Sequence, residues 1–372
     1  MLVDDSAVIR GLFTRALESD PELQIVASVG DGRMAISALR RHEVDVMVLD
    51  IEMPNLDGLS ALPLLLEIKP DLPIVMASTL TRRNAEVSLK ALAAGAKDYV
   101  TKPSSTSELT SAQVFRDELI RKIKALAGGR RGPREGRPPA PTRLGAAARP
   151  SVPSSATART DDAPRHLGRP GEVTLRSTPI QAPEVLAIGS STGGPQALFT
   201  VLGALGQVRQ PILITQHMPA TFTTILAEHI HKVTQRPCAE AKDGEAIQPA
   251  HIYVAPGDFH MLVEGHGAQR VLRLSKAPPE NFCRPAVDPM LRSIAQSYGG
   301  AALCAILTGM GSDGTKGAQA LVAAGGAVIA QDEASSVVWG MPGSAAHAGV
   351  CHAVLPLAEI ASFLARHAQK VR

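Results

Sequence analysis

The sequence predicts an α/β protein built from two doubly wound, mostly parallel sheets joined by a segment with no core of its own. Three observations lead there. Residues 1–124 alternate short apolar runs with amphipathic helical patterns five times, the pattern of a parallel sheet covered on both faces. Residues 183–372 resume the same alternation. Between them, residues 125–182 are dominated by Ala, Arg, Pro, Gly, Ser and Thr, as in GGRRGPREGRPPAPTRLGAAARP, with no hydrophobic period. Such a composition cannot bury enough apolar area to offset chain entropy and reads as a disordered linker. A chain of 372 residues is also too long for one ordinary core.

In the first half, strands are expected over 2–3, 24–29, 44–49, 74–77 and 98–100, and the helices between and after them over 7–17, 32–41, 58–67, 84–94 and 107–126. Polar residues gather where those strands end: Asp4 and Asp5, Asp50, Ser78 and Thr79, and Lys102-Pro103. A single acid at such a place is ordinary, but three carboxylates at one rim repel unless a cation neutralises them. Hard oxygen donors with open positions suit Mg²⁺. An aspartate beside Mg²⁺ and a lysine ammonium can attack a phosphoryl donor, because both cations offset charge on the transferring group.

The second half is organised around LAIGSSTGG, residues 186–194. A buried-strand run breaks into a Gly-Ser turn before Pro195 opens a helix, and Gly189, Ser191 and Gly193 fit the G-x-S-x-G nucleophile elbow. A serine there is lifted out of the sheet, and the unpaired N–H groups of the helix start can stabilise an oxyanion. A second run over 212–215 ends in Gln216-His217-Met218-Pro219, and a third over 302–307 leads to Thr308-Gly309-Met310-Gly311-Ser312-Asp313-Gly314. Serine, histidine and aspartate thus stand at three strand ends, and in a doubly wound sheet the carboxyl ends gather along one edge. Imidazole can take the serine proton while the carboxylate fixes its tautomer. The chain order Ser191, His217, Asp313 differs from the serine, acid, histidine order of lipase-like hydrolases.

The remaining helical patterns, 221–233, 289–297, 317–324 and 357–369, and the strand-like runs 327–330 and 352–355 complete the α/β sheet. His229 and His231 stand two apart on different helix faces, a poor arrangement for a shared metal. His260 fits either the rim of the cleft or a structural hydrogen bond, and Trp339 reads as packing near that rim.

GSSTGG, TQHMP, YVAPGDFHM, LTGMGSDG and EASSVVWGMP, in that order, resemble the catalytic domain of the CheB family of chemotaxis receptor-glutamate methylesterases. The resemblance implies hydrolysis of a glutamyl methyl ester on chemoreceptor cytoplasmic helices, and glutamine deamidation as a second activity. It makes Ser191 the nucleophile, His217 the general base and Asp313 its orienting acid, with Thr192 and Met310 near the oxyanion and no cofactor for the esterase reaction. Ala286 stands where the family's R-P-S segment carries serine.

The first half, with DD, D-x-x-M-P, S-T and K-P, is similar to the receiver domain of two-component response regulators. That resemblance implies Asp50 as phosphoacceptor for a chemotaxis sensor histidine kinase. Asp5, Asp50 and the Glu52 backbone carbonyl would hold Mg²⁺, with Asp4 acting through water. Ser78 and Lys102 would meet the phosphoryl group, and Tyr99 would be the rotamer-switch aromatic, against the alternative of a half-buried strand residue. Family receivers carry several apolar residues before the acidic pair, whereas here Met1, Leu2 and Val3 span roughly 10 Å against the ~17–20 Å of a usual strand. The expectation is a start site assigned too far downstream or a marginally stable domain.

Charge is uneven. The formal net charge is +3, but residues 125–182 hold ten arginines against four acids, a net +6, which leaves −3 for the rest. A solvated spacer is expected rather than a nucleic-acid contact. The four cysteines show no C-x-x-C pair and read as buried thiols of a reducing compartment. No uncharged apolar run approaches the ~20 residues of a membrane helix, and the acids at positions 4 and 5 argue against a signal peptide, so a cytoplasmic enzyme without membrane insertion is expected. The competing reading is a receiver joined to a non-catalytic output that binds receptors or nucleic acid; it leaves the strand-end serine, histidine and aspartate idle.

Overall fold

The computed structural model describes residues 1–102, 109–128 and 173–369. In the first domain β1 (Leu2–Val3), α1 (Ala7–Leu17), β2 (Ser28–Val29), α2 (Gly32–Leu39), β3 (Met47–Asp50), α3 (Gly58–Ile68), β4 (Ile74–Ser78), α4 (Arg82–Ala93), β5 (Asp98–Thr101) and α5 (Leu109–Gly128) follow one another. The strands form a parallel sheet in the order β2-β1-β3-β4-β5. Four helices start where the sequence supplies a cap: Ser6, Asp31, Asp57 and Thr81 each accept from the N–H three residues on. Each such cap contributes about 1 kcal/mol. β2 is shorter than the expected 24–29, because β1 offers two residues for it to pair with. The Met1 ammonium is buried and donates to the Val46 carbonyl at 2.9 Å, and burial lowers its pKa to about 6.

The second domain comprises β6 (Val185–Ser190), α6 (Gly194–Ala204), β7 (Ile212–Gln216), α7 (Ala220–Thr234), β8 (Cys238–Glu240), β9 (Ile252–Val254), β10 (His260–Glu264), β11 (Val271–Ser275), α8 (Val287–Tyr298), β12 (Ala302–Ile306), α9 (Thr315–Ala323), β13 (Ala327–Gln331), α10 (Gly340–His347), β14 (Ala353–Leu355) and α11 (Leu357–Ala368). Seven strands run parallel in the order β14-β13-β12-β6-β7-β9-β8, and β10 and β11 form an antiparallel hairpin. Alternation along β6 divides the core: Leu186 and Ile188 pack with Leu198, Phe222 and Leu364 on one face, Val185 and Ala187 with Met290, Leu321 and Met341 on the other. Both faces are covered, which is why the strand reads as a continuous apolar run.

The segment expected to be linker is partly structured at its ends. Residues 125–128 continue α5, and Arg176 N–H donates to the Cys351 carbonyl; positions 129–172 lie outside the described residues, as does Pro103. The two domains are in contact. α4 packs on α6 and α7, and the Tyr99 ring stacks on Phe222 with centroids 4.3 Å apart. One apolar cluster runs unbroken from the first domain into the second. Among the described residues, no helix is long and apolar enough to cross a membrane.

Candidate functional site

Strand order builds the site. β6 lies between β12 and β7, so residues that follow those two strands flank the end of β6, where Ser191 emerges. His217 follows β7 and Asp313 follows β12; the His217 ring Nε2 and Asp313 Oδ2 are 2.7 Å apart, a bond that spans the β6 terminus. The turn is tight. Gly193 has φ +76°, and a Cβ there would come within 2.6 Å of Val337, so glycine is required. Ser191 N–H donates to the Thr308 carbonyl, and a Cβ on Gly309 would stand 2.9 Å from the Ser191 Cβ, so Met310 begins one residue away from the serine. The backbone N–H groups of Thr192 and Met310 meet no acceptor among the described residues.

Ser191 and His217, the expected nucleophile and base, share no hydrogen bond here. Instead His217 Nδ1 faces the Cys283 sulfur at 3.4 Å, so both ring nitrogens are engaged. Burial works against charging the ring, but the Cys283 sulfur and the Asp313 carboxylate outweigh it and raise the histidine pKa. Burial likewise opposes the Asp313 charge, yet His217 and the N–H groups of Val287 and Asp288 hold that carboxyl below its usual range. Asp288 shares the cluster: burial raises its pKa, Gly317 N–H donates to it at 2.6 Å, and the Asn281 amide bridges it at 3.0 Å to Asp313 at 2.8 Å. Environment therefore pulls the two carboxyls apart, Asp313 below the usual range and Asp288 above it.

Sequence reasoning missed Asn281, Cys283 and Asp288. A signal existed for Asp288, an acid in the first helical turn after Arg284-Pro285; nothing local marked the other two. The expectation of buried thiols holds for Cys304 and Cys351, whereas Cys238 and Cys283 are half-buried; all four are free. His260 is structural: Nδ1 accepts from Ala286 N–H and Nε2 faces the Pro278 carbonyl. Ala286 is fully buried beneath it. Trp339 caps α10 and donates to the Gln331 carbonyl, a packing role at the rim. His231 Nδ1 bonds the Arg236 carbonyl and His229 lies against Phe199. Neither belongs to a metal-ligating group among the described residues.

The first domain gathers its own cluster. Ligand oxygens of Asp4, Asp5 and Asp50 lie within 4.8 Å of one another, and the Lys102 ammonium stands 2.7 Å from Asp4 and 2.6 Å from Asp50. Burial, resisted by Lys102, raises the Asp50 pKa to about 6. Glu52 lines the depression beside Asp5. Ser78 is buried at the end of β4 and donates to the Thr79 carbonyl, without a bond to Asp50. Tyr99 is fully buried rather than half-buried, and its ring faces the second domain.

β5 joins the two sites. Thr192 Oγ1 donates to Asp98 Oδ2 at 2.8 Å, with both residues buried. Lys122 Nζ stands 3.3 Å from the same oxygen and donates to the Tyr99 carbonyl at 2.6 Å. Gln196 of α6 donates to the carbonyls of Leu92 at 3.1 Å and Ala96 at 2.5 Å, and Arg82 pairs with Glu228 at 2.7 Å. The first domain thus covers the turn next to Ser191.

Residues 186–364 match the family model for CheB methylesterase, and residues 1–113 that for the response regulator receiver domain. The chain is 60% identical, over its full length and 96% of the other, to a protein-glutamate methylesterase/protein-glutamine glutaminase of Paramagnetospirillum magneticum. It is 58% identical, over its full length and 94% of the other, to one of Rhodospirillum centenum. The methylesterase catalytic domain of Thermotoga maritima CheB matches 50% of this chain and 98% of its own, at 40% identity and a TM-score of 0.48. With identity of this order running from end to end, the chain belongs to the CheB methylesterase family and carries a response regulator receiver domain ahead of its catalytic domain.

Proposed function

We propose that the chain hydrolyses glutamyl methyl esters on chemoreceptor cytoplasmic segments, releasing methanol, and that phosphorylation of Asp50 switches this activity on. The observation that carries the reading is the His217–Asp313 bond spanning the strand end from which Ser191 emerges. Ser191 Oγ attacks the ester carbonyl, His217 takes its proton, and the oxyanion is held by the N–H groups of Thr192 and Met310. His217 returns the proton to the departing methoxide, and water then releases the acyl group. Amide hydrolysis passes through the same tetrahedral intermediate, so receptor glutamine is a second substrate.

In the docked state the two His217 ring nitrogens face Asp313 and Cys283, so neither is turned to Ser191. Catalysis requires the ring to exchange Cys283 for Ser191 while keeping Asp313. Catalytic hydrogen bonds commonly tighten only in the substrate complex.

Asp4, Asp5 and Asp50 form a set of hard oxygen donors that fits Mg²⁺, with the Glu52 carbonyl supplying a further donor. When bound, the ion offsets charge on the phosphoryl group that a sensor histidine kinase delivers to Asp50. Lys102 steadies the same charge from the other side, and Ser78 meets the phosphoryl oxygens. Lys102 directly follows β5, whose Asp98 and Tyr99 contact Thr192 and Phe222, so a shift of this strand on phosphorylation loosens the lid over Ser191. A sensor-kinase phosphodonor and chemoreceptor cytoplasmic segments as substrate both support activity in the cytoplasm.

Methanol release from methylated receptor, with and without a phosphodonor, tests the reading. A non-catalytic output would release none.

A further inference from the structure

The turn that brings Cys283 to His217 carries a residue the chemistry does not use. Glu280 and Cys283 exchange backbone hydrogen bonds of 3.1 and 2.9 Å, closing a two-residue turn over Asn281 and Phe282. Both central residues are left-handed, with φ +52° and +64°. Asparagine accepts that conformation, but the second position of such a turn favours glycine, and a bulky aromatic there is an outlier. The Phe282 side chain is also 88% exposed. The position therefore bears backbone strain and forgoes burial at once, and glycine would relieve both. Strain of this kind persists where the surroundings hold it and clusters at functional sites.

The surroundings do hold it. Asn281 is tied to Asp313 and Asp288, Cys283 reaches His217, and Glu280 pairs with Arg292 at 3.0 Å. The ring is thus fixed between two residues that bond members of the catalytic triad. The receiver does not cover it. Arg121 of α5 comes to 5.5 Å from its centroid, yet the ring stays exposed with the domains docked. The surface is left for something other than the receiver.

We propose that Phe282 is a substrate-docking residue: its ring packs against an apolar side chain on the protein segment that bears the esterified glutamate, and so sets preference for a protein substrate over a small ester. This rests on the methylesterase reading above and names how that site recognises its substrate. Withdrawal of the receiver removes Arg121 and leaves the whole face of the ring to the incoming segment.

The test uses the full chain with Mg²⁺ and acetyl phosphate, and two substrates: methyl-labelled chemoreceptor in membranes, and the γ-methyl ester of N-acetylglutamate. Phe282→Ala is expected to raise the receptor KM while kcat holds, and to lower the ratio of receptor to small-ester kcat/KM by about tenfold, the loss of one aromatic anchor. Phe282→Leu restores most of that ratio. Phe282→Gly raises the thermal midpoint by relieving the turn and yet lowers the ratio as alanine does, which a merely structural role would not produce. An unchanged ratio in Phe282→Ala overturns the proposal, as does an equal loss on both substrates, which would assign the turn to triad geometry. Absence of wild-type activity on the receptor would instead refute the methylesterase reading itself.

Discussion

Gln196 offers a direct handle on the docked state, because it touches the receiver and none of the reacting groups. Its amide donates to the Leu92 and Ala96 carbonyls at the end of α4, at 3.1 and 2.5 Å. Leu92 keeps a second donor in the Gly95 N–H, so Gln196→Ala leaves chiefly the Ala96 carbonyl without a partner. Two hydrogen bonds at ~0.5–1.5 kcal/mol each, with one carbonyl still satisfied, give a loss of about 1–2 kcal/mol from the interface. The docked-to-open equilibrium shifts by roughly 5–30-fold, since 1.4 kcal/mol is tenfold. The unphosphorylated enzyme should then release methanol from methylated receptor faster by that factor, up to a ceiling set by the phosphorylated rate, which stays as in the wild type. Arg82→Ala serves as the comparison: its pair with Glu228 is exposed, and such pairs contribute little, so its basal rate should rise far less. A basal rate unchanged in Gln196→Ala, in a folded protein that a phosphodonor still activates, would refute the claim that this interface restrains the catalytic domain.

Asp50→Asn should retain the basal rate and lose all response to acetyl phosphate, measured as methanol release; continued activation would move the phosphoacceptor elsewhere. Burial raises the Asp50 pKa to about 6. Its charged form is disfavoured by the fold, so its contribution to stability is full below about pH 4 and is lost as pH rises through 6. The proposed Mg²⁺ site would offset that cost, so saturating Mg²⁺ should raise the thermal midpoint clearly at pH 7.5 and scarcely at pH 5; equal shifts at both would contradict the assigned ligands. Cys283→Ala removes one of the two groups that raise the His217 pKa, so the alkaline rise of kcat/KM should move to lower pH in that variant; a stationary limb would show that the sulfur does not act on the ring.

The strand-end logic made much of this legible in the sequence. Apolar runs buried on both faces announce themselves; Ser191 and His217 each sit directly after one, and Asp313 lies in the loop that follows a third. Strand order then decides whether such ends meet, and no local pattern sets it: β12 pairs with β6 although β7 to β11 lie between them in the chain. The same limit hid β8 and β9, three residues each, and the β10–β11 hairpin, whose strands are too short or too mixed to show a period. It also hid the Asp98–Thr192 bond and the Cys283–His217 contact. A carboxylate on β5 of one domain and a hydroxyl in the turn of another become partners only when the domains dock. Asn281 and Phe282 look like ordinary loop residues until their left-handed backbone and their neighbours are seen.

The central claim is that Ser191 becomes a nucleophile at the rim where His217 and Asp313 meet. Methanol release from methylated chemoreceptor by the phosphorylated wild-type chain and by Ser191→Ala tests it most directly. Steady release is expected from the wild type and a fall of about a thousandfold or more in the variant, with its fold and phosphorylation intact. Release by Ser191→Ala at the wild-type rate would contradict it.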